Sequence, residues 1–159
     1  MATIERTVQL HDGGIADLDD VMQVMEAAFG TTFGEAWTRS QCAGILPMAG
    51  VCLVVARDRA SGDATGFSLT RSVADDSELL LLAVHPDRRR EGIGRQLLDR
   101  FLDRAREQGA TKIHLEVRDG NPAAAMYAAS GFVRAGRRRN YYLAANGERH
   151  DALTMVCQV

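Results

Sequence analysis

A run of glycines and arginines in the middle of the chain has the residue types needed to hold an anion. Residues 85–95 read HPDRRREGIGR. Gly92 and Gly94 would let the backbone approach a phosphate closely, and the free amides at the start of a following helix would face it. Positive charge comes from Arg88, Arg89, Arg90 and Arg95. The glycine spacing fits neither the phosphate loop of nucleotide hydrolases nor the Gly-x-Gly-x-x-Gly dinucleotide fingerprint. The segment predicts another kind of phosphate site, unless the glycines only shape a turn and the arginines are solvated.

Three cysteines and one histidine could in principle serve in covalent catalysis or metal binding, but their spacing supports neither. Cys42, Cys52 and Cys157 are far apart and include no Cys-x-x-Cys pair, so we interpret them as reduced thiols. No His–Asp constellation accompanies them, which disfavours an acyl-cysteine route. His114 and Glu116 are spaced as in the His-x-Glu of zinc deaminases, but the Pro-Cys-x-x-Cys partner motif is missing. We therefore expect no metal site.

The phosphate segment and the residues after it resemble the GCN5-related N-acetyltransferase (GNAT) family. Residues 89–94 match its Arg/Gln-x-x-Gly-x-Gly/Ala pyrophosphate loop and follow an apolar strand at 79–84. Three later segments keep that family's order: 115–118 (LEVR), 121–122 (NP) and 127–132 (YAASGF). Residues 138–142 (RRNYY), with Gly147, Asp151 and Ala152, resemble its ribosomal-protein-alanine (RimI-type) branch. The similarity is strongest from Leu79 onward and weak before Gly50, where residues 33–37 (FGEAW) are loosely similar.

This resemblance implies acetyl-coenzyme A as the cofactor and a set of residues that bind it. The implied residues are Ala83, Val84, Arg89, Arg90, Glu91, Gly92, Ile93, Gly94, Arg95 and Asn121. Backbone amides near Ala83 and Val84 would polarise the thioester carbonyl. One spacing departs from the family, because Asn121 and Tyr127 are six residues apart in this chain and seven in the family pattern.

Glu116 and Tyr127 are the candidate catalytic residues under the same resemblance. An α-amine has a reference pKa of about 7.7 to 8.0, so a carboxylate with one or two waters can remove its remaining proton. Glu116 points away from the apolar face of its predicted strand and is the candidate base. The departing thiolate needs a proton donor, and Tyr127 is the candidate acid. The alternatives are that Glu116 only pairs with Arg118 or with a basic residue of another strand, and that Tyr127 is a core aromatic residue.

Hydrophobic periodicity predicts the elements that must position these residues. Alternation predicts a strand over residues 3–10 that is broken at 11–14. Helices are predicted from Asp17 to near Gly30, over 35–46, from Ile93 to Gly109, and over 122–130. The other predicted strands are 51–57, 64–73, 77–84, 112–118, 132–143 and 148–159. The continuous apolar run at 77–84 indicates a central strand covered on both faces. With the resemblance, the order β-α-α-β-β-β-α-β-α-β-β predicts an α/β fold with a mixed, mostly antiparallel sheet of about seven strands, flanked by helices.

The composition limits the class of protein further. A length of 159 residues leaves room for one domain, predicted over residues 1–159. The net charge of −2 gives no general attraction to nucleic acid or an anionic membrane. We interpret the arginines at 137–139 as a solvated face or a phosphate contact. The longest apolar runs, 51–56 and 79–84, are much shorter than the roughly 18 residues of a membrane span. The N-terminus also lacks a secretory pattern, so we expect a cytoplasmic protein.

The resemblance leads us to expect an enzyme that acetylates the N-terminal α-amine of a protein by direct attack. In the ribosomal branch that protein would be a ribosomal protein beginning with alanine. Tyr141 and Tyr142 are expected to wall its site. The alternatives are an acetyltransferase acting on lysine or a small-molecule amine, and a non-catalytic acyl-coenzyme A-binding or RNA-associated module. We expect no direct contact with nucleic acid or membrane, and a monomer or a weak homodimer.

Overall fold

A seven-stranded sheet forms the centre of the computed structural model, which describes residues 6–159. The strands are β1 (Val8–Gly13), β2 (Val51–Asp58), β3 (Ala64–Val73), β4 (Asp76–Val84), β5 (Lys112–Arg118), β6 (Phe132–Leu143) and β7 (Arg149–Cys157). They lie in the order β1-β2-β3-β4-β5-β7-β6. Neighbouring strands are antiparallel except for β4 and β5, which are parallel. The predicted fold class, a mixed and mostly antiparallel sheet flanked by helices, is confirmed.

Within residues 6–159, four α-helices cover the two faces of this sheet. They are α1 (Leu18–Phe29), α2 (Arg39–Ile45), α3 (Ile93–Glu107) and α4 (Ala123–Ala129). The apolar stripe of α3, which includes Leu98, Phe101 and Leu102, is buried together with β5 residues and α4. Helices α1 and α2 pack against residues of β2, β3 and β4 in a separate cluster. The long helix ends where the sequence predicts, since Gly109 follows it with a φ of +81° that favours glycine.

A β-bulge in β4 opens the middle of the sheet. Leu69 pairs with Leu81 and Thr70 with Leu79, so Leu80 has no partner on β3. Leu80 and Leu81 therefore both pack against the α1 and α2 cluster, as expected where an extra residue interrupts the alternation of a strand. β4 pairs with β5 only from Asp76 to Leu79. The predicted strand at 77–84 is central, as expected, but beyond Leu79 its edge facing β5 is open.

Two predicted boundaries were wrong. The break predicted at 11–14 is absent from β1, which continues to Gly13; the strand lies at the edge of the sheet, where the exposed His11 and Asp12 are tolerated. Residues 3–5 of the predicted strand lie outside the described residues. The helix predicted over 35–46 begins at Arg39, because Thr38 and Gln41 form a capping box. Residues 35–37 are thereby left in the loop between α1 and α2.

No helix in the described part of the chain, residues 6–159, is long and apolar enough to cross a membrane. The single domain over residues 1–159 stays a prediction.

Candidate active site

The candidate residues surround the gap between β4 and β5. Two cavities open there and share lining residues such as Glu35, Leu82 and Asn121. The large cavity, about 730 Å³, extends to the start of α3. The small cavity, about 120 Å³, is lined by Glu116 and Tyr127 together with the two tyrosines of β6. The divergence of two strands thus produces a continuous cleft in the centre of the molecule.

The turn before α3 supplies the anion-binding features of the large cavity. Gly92 precedes the helix with a φ of +78° and Arg90 has a φ of +65°, so the loop curls tightly into the helix start. The first amides of an α-helix have no intrahelical acceptor and attract anions. Gly94 lies close to α4, since a Cβ there would be 3.4 Å from the Met126 sulfur. Five arginines line this cavity: Arg88, Arg89, Arg90 and Arg95 from the loop and helix start, and Arg118 from the end of β5.

Of two further predicted residues of this loop, Glu91 does not line the large cavity, whereas Ile93 does. The Glu91 carboxylate accepts hydrogen bonds from Arg88 at 2.8 and 3.1 Å and from the Thr7 hydroxyl at 3.4 Å. The Arg88 guanidinium lowers the pKa of Glu91. Ile93 is buried in the core beside Leu97. Arg88 also pairs with Asp58 at 2.9 Å, so Arg88 and Glu91 shape the loop, and any contribution of Glu91 or Ile93 to anion binding comes from the backbone.

The open edge of β4 offers backbone donors to the cleft. His85 donates its amide to Thr65 of β3 at 2.8 Å, and hydrogen-bonded pairs alternate along an antiparallel ladder. Ala83, which is paired with Phe67, therefore turns its amide toward β3. The amides of Leu82 and Val84 turn toward the gap. Ala83 lines the large cavity as well, but its amide is used by the sheet, so the donor amides of this edge are those of Leu82 and Val84.

Glu116 points into the small cavity from β5. Its side chain is 12% exposed. The Thr154 hydroxyl donates to Oε2 at 2.8 Å, and Arg138 Nε lies 3.1 Å from Oε1. The ion pair considered for Glu116 thus forms with β6, whereas Arg118 pairs elsewhere. A carboxylate held by one hydroxyl and one guanidinium at a cavity wall is placed to accept a proton from a cation in that cavity.

Tyr127 enters the same cavity from α4. Its ring is buried and packs edge to face against Phe132, with centroids 5.9 Å apart. Burial raises the pKa of Tyr127 strongly, and the negative charge of Glu35 raises it further. The hydroxyl therefore stays protonated across the physiological range and is able to donate a hydrogen bond. Tyr127 is thus a core aromatic residue that also lines the small cavity, and its role as the acid stays a prediction.

Glu35 is a buried carboxylate of the cleft that sequence reasoning missed. It pairs with Arg118 Nε at 3.0 Å, and the two side chains are 11% and 10% exposed. The Arg118 guanidinium also stacks on the Phe33 ring, with its carbon 3.6 Å from the centroid. These contacts fix the loop between α1 and α2 over the ends of β4 and β5. A signal was present, because the Thr38 and Gln41 capping box predicts a helix start after Glu35.

Asn121 also belongs to the hydrogen-bonded network of Glu35 and Arg118. Its Nδ2 donates to Glu35 at 2.7 Å, and its Oδ1 accepts from the Ala123 amide at 2.9 Å at the start of α4. Asn121 lines both cavities, but both polar atoms of its side chain are already hydrogen-bonded within the protein. In this chain, with its shorter spacing to Tyr127, the residue links the α1–α2 loop to α4.

Tyr141 and Tyr142 form the β6 wall of the small cavity. Their rings meet edge to face with centroids 4.9 Å apart. Burial raises the pKa of Tyr142, and nearby Glu35 adds to this shift. The register of β6 shifts between Arg138 and Tyr142, and such bulges redirect side chains. Asn140, at a φ of +53° in this bulge, donates its amide to Asp151 at 2.9 Å.

The cysteines and His114 lie outside this site. Cys42, Cys52 and Cys157 carry free thiols, and none of them lines the two cavities. His114 is 2.6 Å from an Asp76 oxygen through Nε2. Within residues 6–159 no three His, Cys, Asp or Glu side chains are grouped to hold a metal.

Comparisons with known proteins agree with this geometry. A profile of the Acetyltransferase (GNAT) family matches residues 18–132. The ribosomal protein bS18-alanine N-acetyltransferase of Escherichia coli (strain K12) is 40% identical over 100 residues, which are 62% of this chain and 67% of that protein. A crystal structure of the Escherichia coli ribosomal-protein-S18-alanine N-acetyltransferase has a TM-score of 0.84 at 29% identity, covering 96% of this chain and 94% of the other. Arabidopsis thaliana NAA60 in complex with acetyl-CoA shares the fold, with a TM-score of 0.84 at 18% identity, covering 96% of this chain and 99% of the other.

Proposed function

Because the chain belongs to the GNAT acetyltransferase family, we propose that it transfers acetyl from acetyl-coenzyme A to the N-terminal α-amine of a protein. The observation that carries the proposal is the meeting of Glu116 and Tyr127 in one cavity at the open edge of β4. The relatives named for ribosomal protein bS18-alanine acetylation support a ribosomal protein beginning with alanine as the acceptor.

The large cavity fits a nucleotide thioester. Its donor set consists of helix-start amides, the guanidinium groups of Arg89, Arg90 and Arg95, and the free amides of Leu82 and Val84. Gly94 leaves the space between α3 and α4 that a side chain would fill. Acetyl-coenzyme A supplies an activated acetyl group as its thioester. The arginines and helix amides would bind its phosphates, and an amide of β4 would donate to the thioester carbonyl.

The small cavity fits the acceptor amine. Glu116 would take the proton that the α-ammonium must lose before it attacks. Tyr127, which stays protonated at neutral pH, would donate a hydrogen bond to the departing sulfur and supply its proton as the carbon–sulfur bond breaks. Tyr141 and Tyr142 would wall the first residue of the acceptor, and the loop held by Glu35 and Arg118 would exclude water from the cleft.

The test is thiol release from acetyl-coenzyme A with two peptides. One is free of lysine and has a free N-terminal alanine; the other is N-terminally blocked and has an internal lysine. Turnover of the first alone is expected. Turnover of the second alone would make the chain a lysine acetyltransferase. Turnover of neither would contradict the proposal, and coenzyme A binding would then separate a small-molecule acetyltransferase from a non-catalytic binding module.

A further inference from the structure

Glu116 carries one fixed partner and one replaceable partner. The Thr154 hydroxyl on the neighbouring strand β7 donates to Oε2 at 2.8 Å. The other oxygen, Oε1, is paired with Arg138 at 3.1 Å. Oε1 is therefore where a cation from the cleft would bind, and Arg138 already occupies that place.

The ion pair of Arg138 with Glu116 is weak on the Arg138 side. Its side chain is 61% exposed, in contrast to the 12% of Glu116. It belongs to β6, an edge strand of the sheet, and its guanidinium carbon lies 5.7 Å from the centroid of the Tyr141 ring at the cavity wall. Ion pairs with an exposed partner contribute little to stability because water and salt compete for the charge. The Arg138 guanidinium itself can therefore return to water at small cost, provided that another cation takes its place beside Glu116.

The Glu116 carboxylate, by contrast, needs a positive counter-charge beside it at all times. A largely buried carboxylate left without a counter-charge is strongly unfavourable, whereas one cation exchanged for another keeps the charge compensated. A protonated α-amine can make that exchange. A blocked N-terminus is neutral and cannot replace the guanidinium.

We propose that Arg138 is a placeholder cation that pairs with Glu116 in the free enzyme and is displaced by the α-ammonium of the acceptor. Arg138 thereby determines specificity, since only a cationic acceptor compensates Glu116 when the guanidinium leaves. Once displaced, Arg138 no longer competes with the proton that Glu116 accepts. This inference rests on the proposed function, because it takes the acceptor to be an α-amine.

The first test compares Arg138→Gln with Arg139→Gln. Arg139 is the adjacent exposed arginine of β6, so its loss removes the same charge without touching Glu116. With the lysine-free alanine peptide we expect Arg138→Gln to lower KM by about two- to five-fold, the size expected for an exposed ion pair. Its kcat should stay within two-fold, and Arg139→Gln should match the parent enzyme. An unchanged or higher KM, or a kcat that falls with Arg138→Gln, would overturn the proposal.

Replacing the lost guanidinium with a small cation in solution tests the placeholder role directly, because a purely structural role of Arg138 would not make KM respond to that cation. Arg138→Ala leaves room for a small cation beside Glu116. Methylguanidinium should then inhibit Arg138→Ala competitively with the peptide and bring KM back toward the parent value. Arg139→Ala should show no such competition, and equal inhibition of the two variants would count against the proposal.

Carbodiimide labelling separates this inference from the proposed function. Coupling of an amine to Glu116, followed by peptide mass spectrometry, requires no acceptor turnover. Faster labelling of Glu116 in Arg138→Gln than in the parent enzyme or in Arg139→Gln is expected. If no peptide is acetylated, the α-amine acceptor is wrong and labelling alone decides whether Arg138 shields Glu116. Equal labelling rates would overturn the inference whichever acceptor is used.

Discussion

Glu116 is the side chain on which turnover should depend most. Glu116→Gln keeps the shape and an acceptor for Thr154 but cannot take a proton. General base catalysis contributes typically about 10²- to 10⁴-fold, so we expect kcat to fall by at least about 10²-fold. Coenzyme A affinity should change little, because Glu116 lines only the small cavity. Steady-state thiol release and calorimetric titration with coenzyme A measure the two quantities, and an unchanged kcat would remove Glu116 from the base role.

Tyr127 allows the catalytic and packing roles to be separated. Tyr127→Phe keeps the ring against Phe132 and removes only the hydroxyl, which forms no hydrogen bond with the described residues 6–159. We expect kcat to fall by about 10²-fold, the lower range for a lost general acid. The free energy of unfolding at pH 7 should stay within about 1 kcal/mol, because no hydrogen bond is lost. Thiol release and urea denaturation test both; unchanged kcat would leave Tyr127 only its packing role.

The identity of the candidate residues could be predicted from the sequence, but their partners could not. The phosphate segment and the order of Glu116 and Tyr127 are local patterns. The pairs of Glu35 with Arg118 and of Glu116 with Arg138 join residues far apart in the chain. They depend on strand register and on a bulge in β6, which no local spacing encodes.

At the level of elements, the loop between α1 and α2 depends on one close approach. Gly34 has a φ of +74°, and a Cβ there would lie 2.0 Å from the Leu143 carbonyl oxygen at the end of β6. Gly62 has a similar φ of +79° but open space around it. Both Gly→Ala variants meet the left-handed strain of roughly 1–2 kcal/mol. Only Gly34→Ala should also displace the loop, because the atom it meets is backbone.

We therefore expect Gly34→Ala to lower both the free energy of unfolding and the kcat more than Gly62→Ala does. Urea denaturation and thiol release on the two variants provide the comparison. Equal losses of stability in the two variants would show that the contact with Leu143 is relaxed in solution.

The sequence was enough to predict which helices and strands exist. It was not enough to predict where each one begins and ends, or where neighbouring strands fail to pair. The periodic segments of α1 and α3 gave helices that end near Gly30 and Gly109 as predicted. The continuous leucines at 79–82 were compatible with a regular buried strand, and nothing local distinguished that from a bulge. The opening beyond Leu79 results from how β3, β4 and β5 pair, a tertiary property.

At the level of the whole molecule, the buried phenol of Tyr127 and the partly buried phenol of Tyr142 make the free energy of unfolding depend on pH in the alkaline range. Burial raises the pKa of both Tyr127 and Tyr142 above the ordinary value of 10.0. Above about pH 10 the unfolded chain releases these protons while the folded protein retains them, so the free energy of unfolding falls as pH rises. Tyr142→Phe should flatten this fall relative to the parent protein when urea denaturation is compared between pH 8 and pH 11. An identical slope would indicate that the phenol of Tyr142 is hydrated in the folded state.

The open edge of β4 also has a consequence for the free protein in solution. Unpaired strand edges recruit other strands, and proteins protect them by covering or charging them. Here the unpaired stretch lies inside the sheet, where α4 and the loop anchored by Glu35 and Arg118 cover it. Loosening that cover would leave the unpaired backbone groups of residues 80–84, together with their apolar side chains, available to a second chain. Variants of the anchoring pair should therefore aggregate before they unfold, and occupancy of the cleft should suppress the aggregation.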